Sequence, residues 1–228
     1  MELDCRTGQV LDAIKQAGIE NNTIVIWLSD NAATPTNTIP ENRGGNNGPF
    51  RGELGDPMEG SIRVPGMIKW PGKVKPGKSN EMVAIHDFVP TLAAIIGADL
   101  PKDRPCDGVD QSAFFFGKQK KSNREHLITF INNEIEALCW RPYRIYPKSF
   151  IGSFNNPSQE GILGVNLEKN GGPEIYNIEA DPREQINIGA DNARVIANWF
   201  RFVAEYNQSL KKYSNPPGVT LTDTNVGR

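Results

Sequence analysis

The sequence predicts an α/β chain: part of a mostly parallel sheet flanked by helices, then a small α+β subdomain holding a short antiparallel sheet and one long helix. Three observations carry that expectation. An unbroken apolar, β-branched run, "TIVIWLS" (residues 23–29), follows a segment of helical periodicity, and such a run suits a strand covered on both faces. Further along, several short strand patterns precede one amphipathic helix, as in an α+β unit. Between these lies a polar stretch near residues 100–122, with "PKDRP" and "GKQKKSN" around an apolar "AFFF", which reads as a boundary. The expected units are residues 1–121, residues 122–213 and a polar tail, 214–228.

The first helix rests on Val10, Leu11, Ile14 and Ala17 at helical spacing, with Gly18 as its C′ stop. The strand that follows ends at Asp30-Asn31. In α/β sheets, ligands sit just outside the carboxyl ends of strands. Residues 34–60 are dense in Gly, Pro and Asn, and so long a loop is usually functional or disordered. "SIRVPGMIKWPGKVKPG" alternates like a strand and closes on Pro/Gly turns. "HDFVPTLAAIIGA" reads as a buried helix capped by Asp87, with Pro90 in its first turn and Gly97 at its end. Strand patterns follow in "EHLITFI", "EALCWRPYRIY" and "PEIYNI". The last helix has Asp191 as N-cap and a stripe of Val195, Trp199, Val203, Tyr206 and Leu210.

Composition narrows the function classes. Lys plus Arg (25) nearly balances Asp plus Glu (27) over 228 residues, and no block of like charge stands out. That gives no reason to expect a nucleic-acid or membrane-surface partner. No apolar run is long enough to span a bilayer. The first residues lack a basic n-region and an apolar h-region, yet an exported parent protein is compatible with this, so localisation stays open. Cys5, Cys106 and Cys139 are too far apart for a disulfide framework or a close-spaced zinc site, and read as free buried thiols. The N-x-S/T sequons at Asn21 and Asn207 are simplest as chance in an Asn-rich chain.

Two stretches carry candidate chemistry. The carboxylate of Asp30 and the amide of Asn31 are hard oxygen donors suited to Ca²⁺ or Mg²⁺. Asp-Asn is equally a common turn pair, because both side chains bond local backbone. In Phe50–Gly77 the glycines permit close backbone approach, and Arg51, Glu59 and Arg63 lie on or beside a strand start. The plain alternative is a solvated loop with one structural Glu–Arg pair. His86 opens the "FVPTL" helix, in a packing role or as a pocket contact. His126 has no motif around it and reads as a surface or strand residue.

Taken in order, these segments resemble the sulfatase family of the alkaline-phosphatase-like superfamily. "VLDAIKQAGIENNTIVIWLSDN" is similar to the family's helix and strand ending in Ser-Asp-Asn. "FRGELGDPMEGSIRVPGMIKWPGKVKPG" resembles its Arg-Gly…Glu-Gly-Gly-x-Arg-Val-Pro…Trp-Pro-Gly stretch. "IHDFVPTLAAIIGA" resembles the His-x-Asp…Pro-Thr-Leu helix, and "CDGVDQSAFFFG" the Asp-Gly-x-Asp segment. "EIYNIEADPREQINI" resembles the C-terminal Leu-Tyr-Asn-Leu…Asp-Pro-x-Glu…Asn-Leu signature.

The resemblance implies hydrolysis of a sulfate ester, on a small molecule or a sulfated glycan. It implies a formylglycine nucleophile made from a Cys or Ser in Cys/Ser-x-Pro-x-Arg, and a divalent cation, usually Ca²⁺. Asp30 and Asn31 inherit the role of metal ligands, and Arg51, Glu59, Arg63 and His86 become candidate substrate-binding residues. The chain departs from the pattern in several places. No Cys/Ser-x-Pro-x-Arg occurs; "CWRPYR" sets its proline one position too late and reads as a strand of the second unit. The family's early Asp pair and mid-chain histidines have no counterpart, so the chain resembles the C-terminal part of a sulfatase. Leu54 stands where many sulfatases carry a sulfate-contacting lysine, Ala32 where a glycine commonly follows Asp-Asn, and Ser61 at the second glycine of Glu-Gly-Gly. A chain without the nucleophile is expected to be inactive alone. The alternatives are a non-catalytic or self-associating remnant, a homodimer included, and one piece of a split or cleaved enzyme completed by an N-terminal half.

Overall fold

The computed structural model describes residues 2–33, 45–132, 134–147, 150–151, 168–169 and 173–214. Helix α1 (Glu2–Gln16) forms where the periodicity predicts, with Glu2 and Asp4 in its first turn and Lys15 in its last. Those charges complement the helix dipole. The chain leaves it through Gly18 at φ 69°, a left-handed conformation that glycine adopts without a Cβ penalty. No residue of α1 is buried.

Strand β1 (Val25–Leu28) is half-buried along its length. It pairs antiparallel with β2 (Gly66–Lys69), from Val25 opposite Lys69 to Leu28 opposite Gly66. Every strand pairing among the described residues is antiparallel. The mostly parallel sheet expected from "TIVIWLS" is therefore not formed by these residues. Apolar continuity specifies that a strand is covered on both faces; it does not specify the direction of its neighbours.

The alternating stretch after residue 60 yields only the four residues of β2, because Glu59–Ile62 winds into a helical turn, α2. Helix α3 (Phe88–Ile96) ends at Gly97, φ 70°, as expected. It is not the buried helix the sequence predicts: Pro90 and Thr91 are buried, while Val89 and Ile96 are exposed. Asp87 does not cap it either, since its carboxylate accepts from the N–H groups of Ala84 and Val109. The "AFFF" of the linker forms a short helix, α4 (Ser112–Phe115), whose Phe115 stacks on Phe88 at 6.0 Å.

The second unit is an antiparallel sheet with one helix on it. Strands β3 (Leu127–Ile131), β4 (Glu134–Trp140) and β5 (Tyr143–Tyr146) are followed by a short pair, β6 (Phe150–Ile151) with β7 (Glu168–Lys169), and by β8 (Glu174–Asn177). The sheet order is β3-β4-β5-β8. "EALCWRPYRIY" is two strands rather than one, turning at Arg141-Pro142, where proline has no N–H to give a ladder.

Helix α5 (Ile196–Lys212) lies on one face of this sheet, and Leu138, Ile145, Ile175, Val195, Trp199 and Phe202 form the core between them. Phe202, not Val203, occupies the centre of the stripe; Tyr206 rests on Phe130 at 5.2 Å, and Leu210 is exposed. Asp191 falls outside the helix because a 3-10 turn, Ala193–Val195, precedes it. The other face of the sheet presents Ala137, Cys139, Arg144 and Tyr146, at the period-two positions of β4 and β5. Ala137 and Tyr146 pack with Met58, and Cys139 with Met82, so β4 is buried on both sides.

Of the three cysteines only Cys139 is buried; Cys5 and Cys106 are exposed. Burial pushes the Cys139 thiol up to about 11, which makes it a packing group rather than a nucleophile. No helix among the described residues is long and apolar enough to cross a membrane. The tail from residue 215 lies outside the described residues.

Candidate active-site region

Asp30 and Asn31 stand directly beyond the carboxyl end of β1. The turn is held by short-range bonds: Ser29 Oγ donates to the Asn31 carbonyl (2.9 Å), and Asn31 N–H to Asp30 Oδ1 (2.9 Å). Asn31 Nδ2 donates to the Ala32 carbonyl (2.9 Å), which leaves its Oδ1 facing away from that bond. Asp30 is exposed and Asn31 half-buried. Both side chains thus bond local backbone, and the Asp30 carboxylate is exposed.

The next residues are braced from two sides. Ala32 N–H donates to the Ser61 carbonyl (3.2 Å), and Ala33 N–H to Asn47 Oδ1 (2.8 Å). Asn47 Nδ2 reaches the carbonyls of Ala33 and Gly52, and Leu54 N–H donates to the Ala33 carbonyl. Gly60 N–H donates to the Arg51 carbonyl at 2.6 Å; a Cβ on Gly60 would lie 2.6 Å from that same oxygen. Only glycine lets the two segments approach so closely.

Glu59, one residue earlier, is buried. Its carboxylate meets Arg63 at 3.4 Å, Arg141 at 3.4 Å and Arg144 at 3.5 Å. Arg63 also lies over the Phe50 ring at 4.3 Å, a cation–π arrangement. Arg144 is fully buried and donates to the Pro57 carbonyl and to Thr129 Oγ1. Burial opposes charge on Arg144, but the acidic groups around it, Tyr146, Cys139, Glu59 and Glu184, outweigh burial and hold its pKa above the ordinary value. Glu184 completes the cluster: its carboxylate accepts from Glu59 N–H (3.3 Å) and from Tyr146 Oη. Burial pushes the Glu184 carboxyl up, against the hydrogen bond from Tyr146 and the charge of Arg144.

The structure thus sets the segments that carry Arg51, Glu59 and Arg63 beside the Asp30–Asn31 turn through backbone bonds, Gly60 N–H to the Arg51 carbonyl and Ala32 N–H to the Ser61 carbonyl. His86 goes elsewhere. It sits before α3 with Arg124, Asp87 and Asp107 as its charged neighbours, and burial followed by the Arg124 charge lowers its pKa. Beside it, buried Asp87 receives Arg124 Nε at 3.0 and 2.8 Å on its two oxygens, together with Arg124 Nη2. Thr91 Oγ1 donates to the Asp87 carbonyl and accepts from Gln111 N–H. His126 stacks on Phe202 at 3.7 Å, a packing position.

Arg124, Arg141, Arg144, Tyr146 and Glu184 were not among the residues expected to matter. A charge inside an apolar strand was the available signal, since Arg144 lies between Tyr143 and Ile145 and a buried arginine requires partners.

A protein-family model described as Sulfatase matches residues 1–98. The steryl-sulfatase of Rattus norvegicus is 34% identical over 199 residues, covering 81% of this chain and 34% of that protein. Arylsulfatase A of Homo sapiens is 38% identical over 195 residues, covering 82% of this chain and 38% of that protein. A sulfatase structure from Pseudoalteromonas sp. superposes with a TM-score of 0.82 at 28% identity, over 95% of this chain and 43% of that one. The chain belongs to the sulfatase family. It spans about a third of the length of these curated relatives.

As a sulfatase chain, it shows where its departures from the family pattern fall. Ala32 and Ser61, each in place of an expected glycine, face each other across the Ala32 N–H to Ser61 carbonyl bond. Leu54 is tied by its N–H to the Ala33 carbonyl, close behind the Asp30–Asn31 turn. The donor set at that turn has the right chemistry for Ca²⁺, carboxylate plus amide oxygen. Its number falls short: two side chains against the six to eight oxygens that ion takes. Among the described residues no cluster of three His, Cys, Asp or Glu side chains could hold a metal.

Proposed function

We propose that the chain is part of an arylsulfatase-like sulfuric ester hydrolase, acting on a sulfate-ester small molecule or a sulfated glycan, with Asp30 and Asn31 as two ligands of a Ca²⁺ site. The observation that carries this is the turn beyond β1, where Asp30 is exposed and the residues after it, Asn31, Ala32 and Ala33, are bonded to Ser29, Ser61 and Asn47. A cation held there would offset the charge of the bound sulfate ester and stabilise charge that develops in the transition state. Asp30 and Asn31 would hold it; half-buried Arg51 would add positive charge toward the ester. Arg51 cannot replace the proton-donating lysine that Leu54 displaces, because a guanidinium keeps its proton. Glu59, enclosed by three arginines, positions the loop rather than touching the ester. Completion of the ligand set and a nucleophile would come from outside residues 1–228, as in a split or cleaved enzyme.

Calorimetric titration of the purified chain with Ca²⁺ tests this reading. Saturable binding, lost in Asp30→Ala, is the expected result; identical titrations of the two proteins would refute the ligand assignment. No turnover of an aryl sulfate is expected from the chain alone, and activity that disappears in Asp30→Ala would overturn that expectation.

A second reading, a self-associating module without turnover, draws on one further observation. Leu3, Val10, Ile19, Met67, Ile85, Val89 and Ile96 are all exposed on the first unit, and exposed apolar surface promotes association. Sedimentation equilibrium distinguishes the two: a concentration-dependent dimer with no calcium response favours the module.

A further inference from the structure

We propose that Glu184 is a positioning residue: from the second unit, through Glu59 and α2, it sets the conformation of the Asp30–Asn31 turn. The inference depends on the sulfatase reading only for its functional meaning; the mechanical coupling stands on the contacts themselves.

Glu184 has a left-handed backbone, φ 52°, although it carries a Cβ. Such conformations are uncommon outside glycine and persist only where the surroundings hold them. What holds this one is its buried carboxylate. One oxygen accepts from Glu59 N–H, the other from Tyr146 Oη on β5. The same loop reaches the first unit again through Arg51 N–H, which donates to the Pro182 carbonyl at 3.3 Å.

Each anchored residue is one hydrogen bond from the turn's own supports. Arg51 accepts from Gly60 N–H, and the adjacent Ser61 carbonyl accepts from Ala32 N–H. Ala32 follows Asn31 directly. The path is therefore Glu184, Glu59, α2, Ser61, Ala32, with a parallel branch through Arg51 and Gly60. It is short, buried over most of its length and built chiefly from backbone groups, whose positions a single lost anchor can shift.

Glu184→Gln retains an oxygen for Glu59 N–H and offers its amide to Tyr146 Oη. Glu184→Met has similar length and no such polar group. Both keep a Cβ, so the backbone cost at φ 52° is common to them. Amide hydrogen exchange, followed by NMR on the whole chain without added metal, reads the coupling. In Glu184→Met the Ala32 and Gly60 amides are expected to exchange about tenfold faster, while Leu138 and Ile145 in the sheet core are unchanged. Glu184→Gln is expected to match the wild type.

An unchanged Ala32 amide in Glu184→Met, or an equal acceleration at Leu138 and Ile145, would overturn the proposal. If the methionine variant does not fold, Tyr146→Phe removes only the hydroxyl partner. It should accelerate the same two amides by a smaller factor, and no acceleration there would be equally fatal. Calcium titration of the wild type, read at Asp30 and Asn31, separately tests the ligand pair. Coupling without a calcium response would sink the metal site and leave Glu184 in its positioning role.

Discussion

Helices α1 and α5 have similar lengths and both show apolar residues at helical spacing, yet α5 buries Trp199 and Phe202 against a sheet while α1 buries nothing. The contrast extends to the units that contain them. Residues 122–214 share an apolar core between α5 and the β3-β4-β5-β8 sheet. Residues 2–121 hold a two-stranded ribbon, exposed apolar side chains on α1 and α3, and buried polar groups, Asp56, Glu59, Ser61, Asp87, Thr91 and Gln111, beside a few small or flexible apolar ones, Ala32, Met58, Met82 and Ala84. An amphipathic pattern records a capacity for burial, and a facing surface decides whether it is used. The first unit meets the second through two polar junctions, Glu59 with Arg141 and Arg144 and Asp87 with Arg124, and through the apolar contacts of Met58 with Ala137 and Tyr146 and of Met82 with Cys139.

The largest expected effect comes from separating the units. Residues 122–214 expressed alone should retain dispersed NMR signals and a cooperative thermal transition. Residues 1–121 should show neither, because so little apolar surface is enclosed there. A cooperative transition in the isolated first unit would break the comparison.

The helices themselves sharpen it. Phe202→Ala should lower stability by about 3–5 kcal/mol in denaturant unfolding, as for other buried aromatic truncations. At the junction, Arg124→Met leaves the Asp87 carboxylate buried without its ion partner and should cost about 3 kcal/mol.

The same junction has a pH signature. Burial alone would raise the Asp87 carboxyl, but Arg124 and the Ala84 and Val109 N–H groups outweigh burial and hold it below its ordinary 3.8. A depressed carboxyl contributes stability above its unfolded value and loses it as pH falls through the folded value. Stability should therefore decline on acidification below about pH 3.8, and this loss should be absent in Arg124→Met. The smallest effect is expected at Val10→Ala on α1, within about 0.5 kcal/mol of wild type, because Val10 is exposed and alanine is the better helix former.

Much of the local structure was legible from residues alone. Gly18 and Gly97 stop their helices because each must take a left-handed conformation. The strand patterns of the second unit formed strands, and α5 formed where the apolar stripe indicated. Details failed where chain direction or partner choice mattered. The turn at Arg141-Pro142 split one expected strand, Phe202 is buried at the core while Val203 packs half-buried against it, and Asp87 bonded back to Ala84 and across to Arg124 instead of capping α3. For the candidate site, the Asp30–Asn31 turn and the Arg51–Glu59–Arg63 stretch were visible as residue types. Their anchors on the β4–β5 turn, β5 and the 181–184 loop were not, since those lie more than 80 residues away along the chain.

The sequence by itself determined the local conformations, the hard-oxygen pair beyond β1 and the family, because propensity, turn chemistry and ordered motifs are encoded in neighbouring residues. Only the tertiary structure decided which apolar faces are covered, that Glu59 is enclosed by guanidinium groups, and that Glu184 reaches the support of the Asp30–Asn31 turn. These depend on contacts between distant segments, where burial raises the cost of every unpaired polar group and so selects the partners.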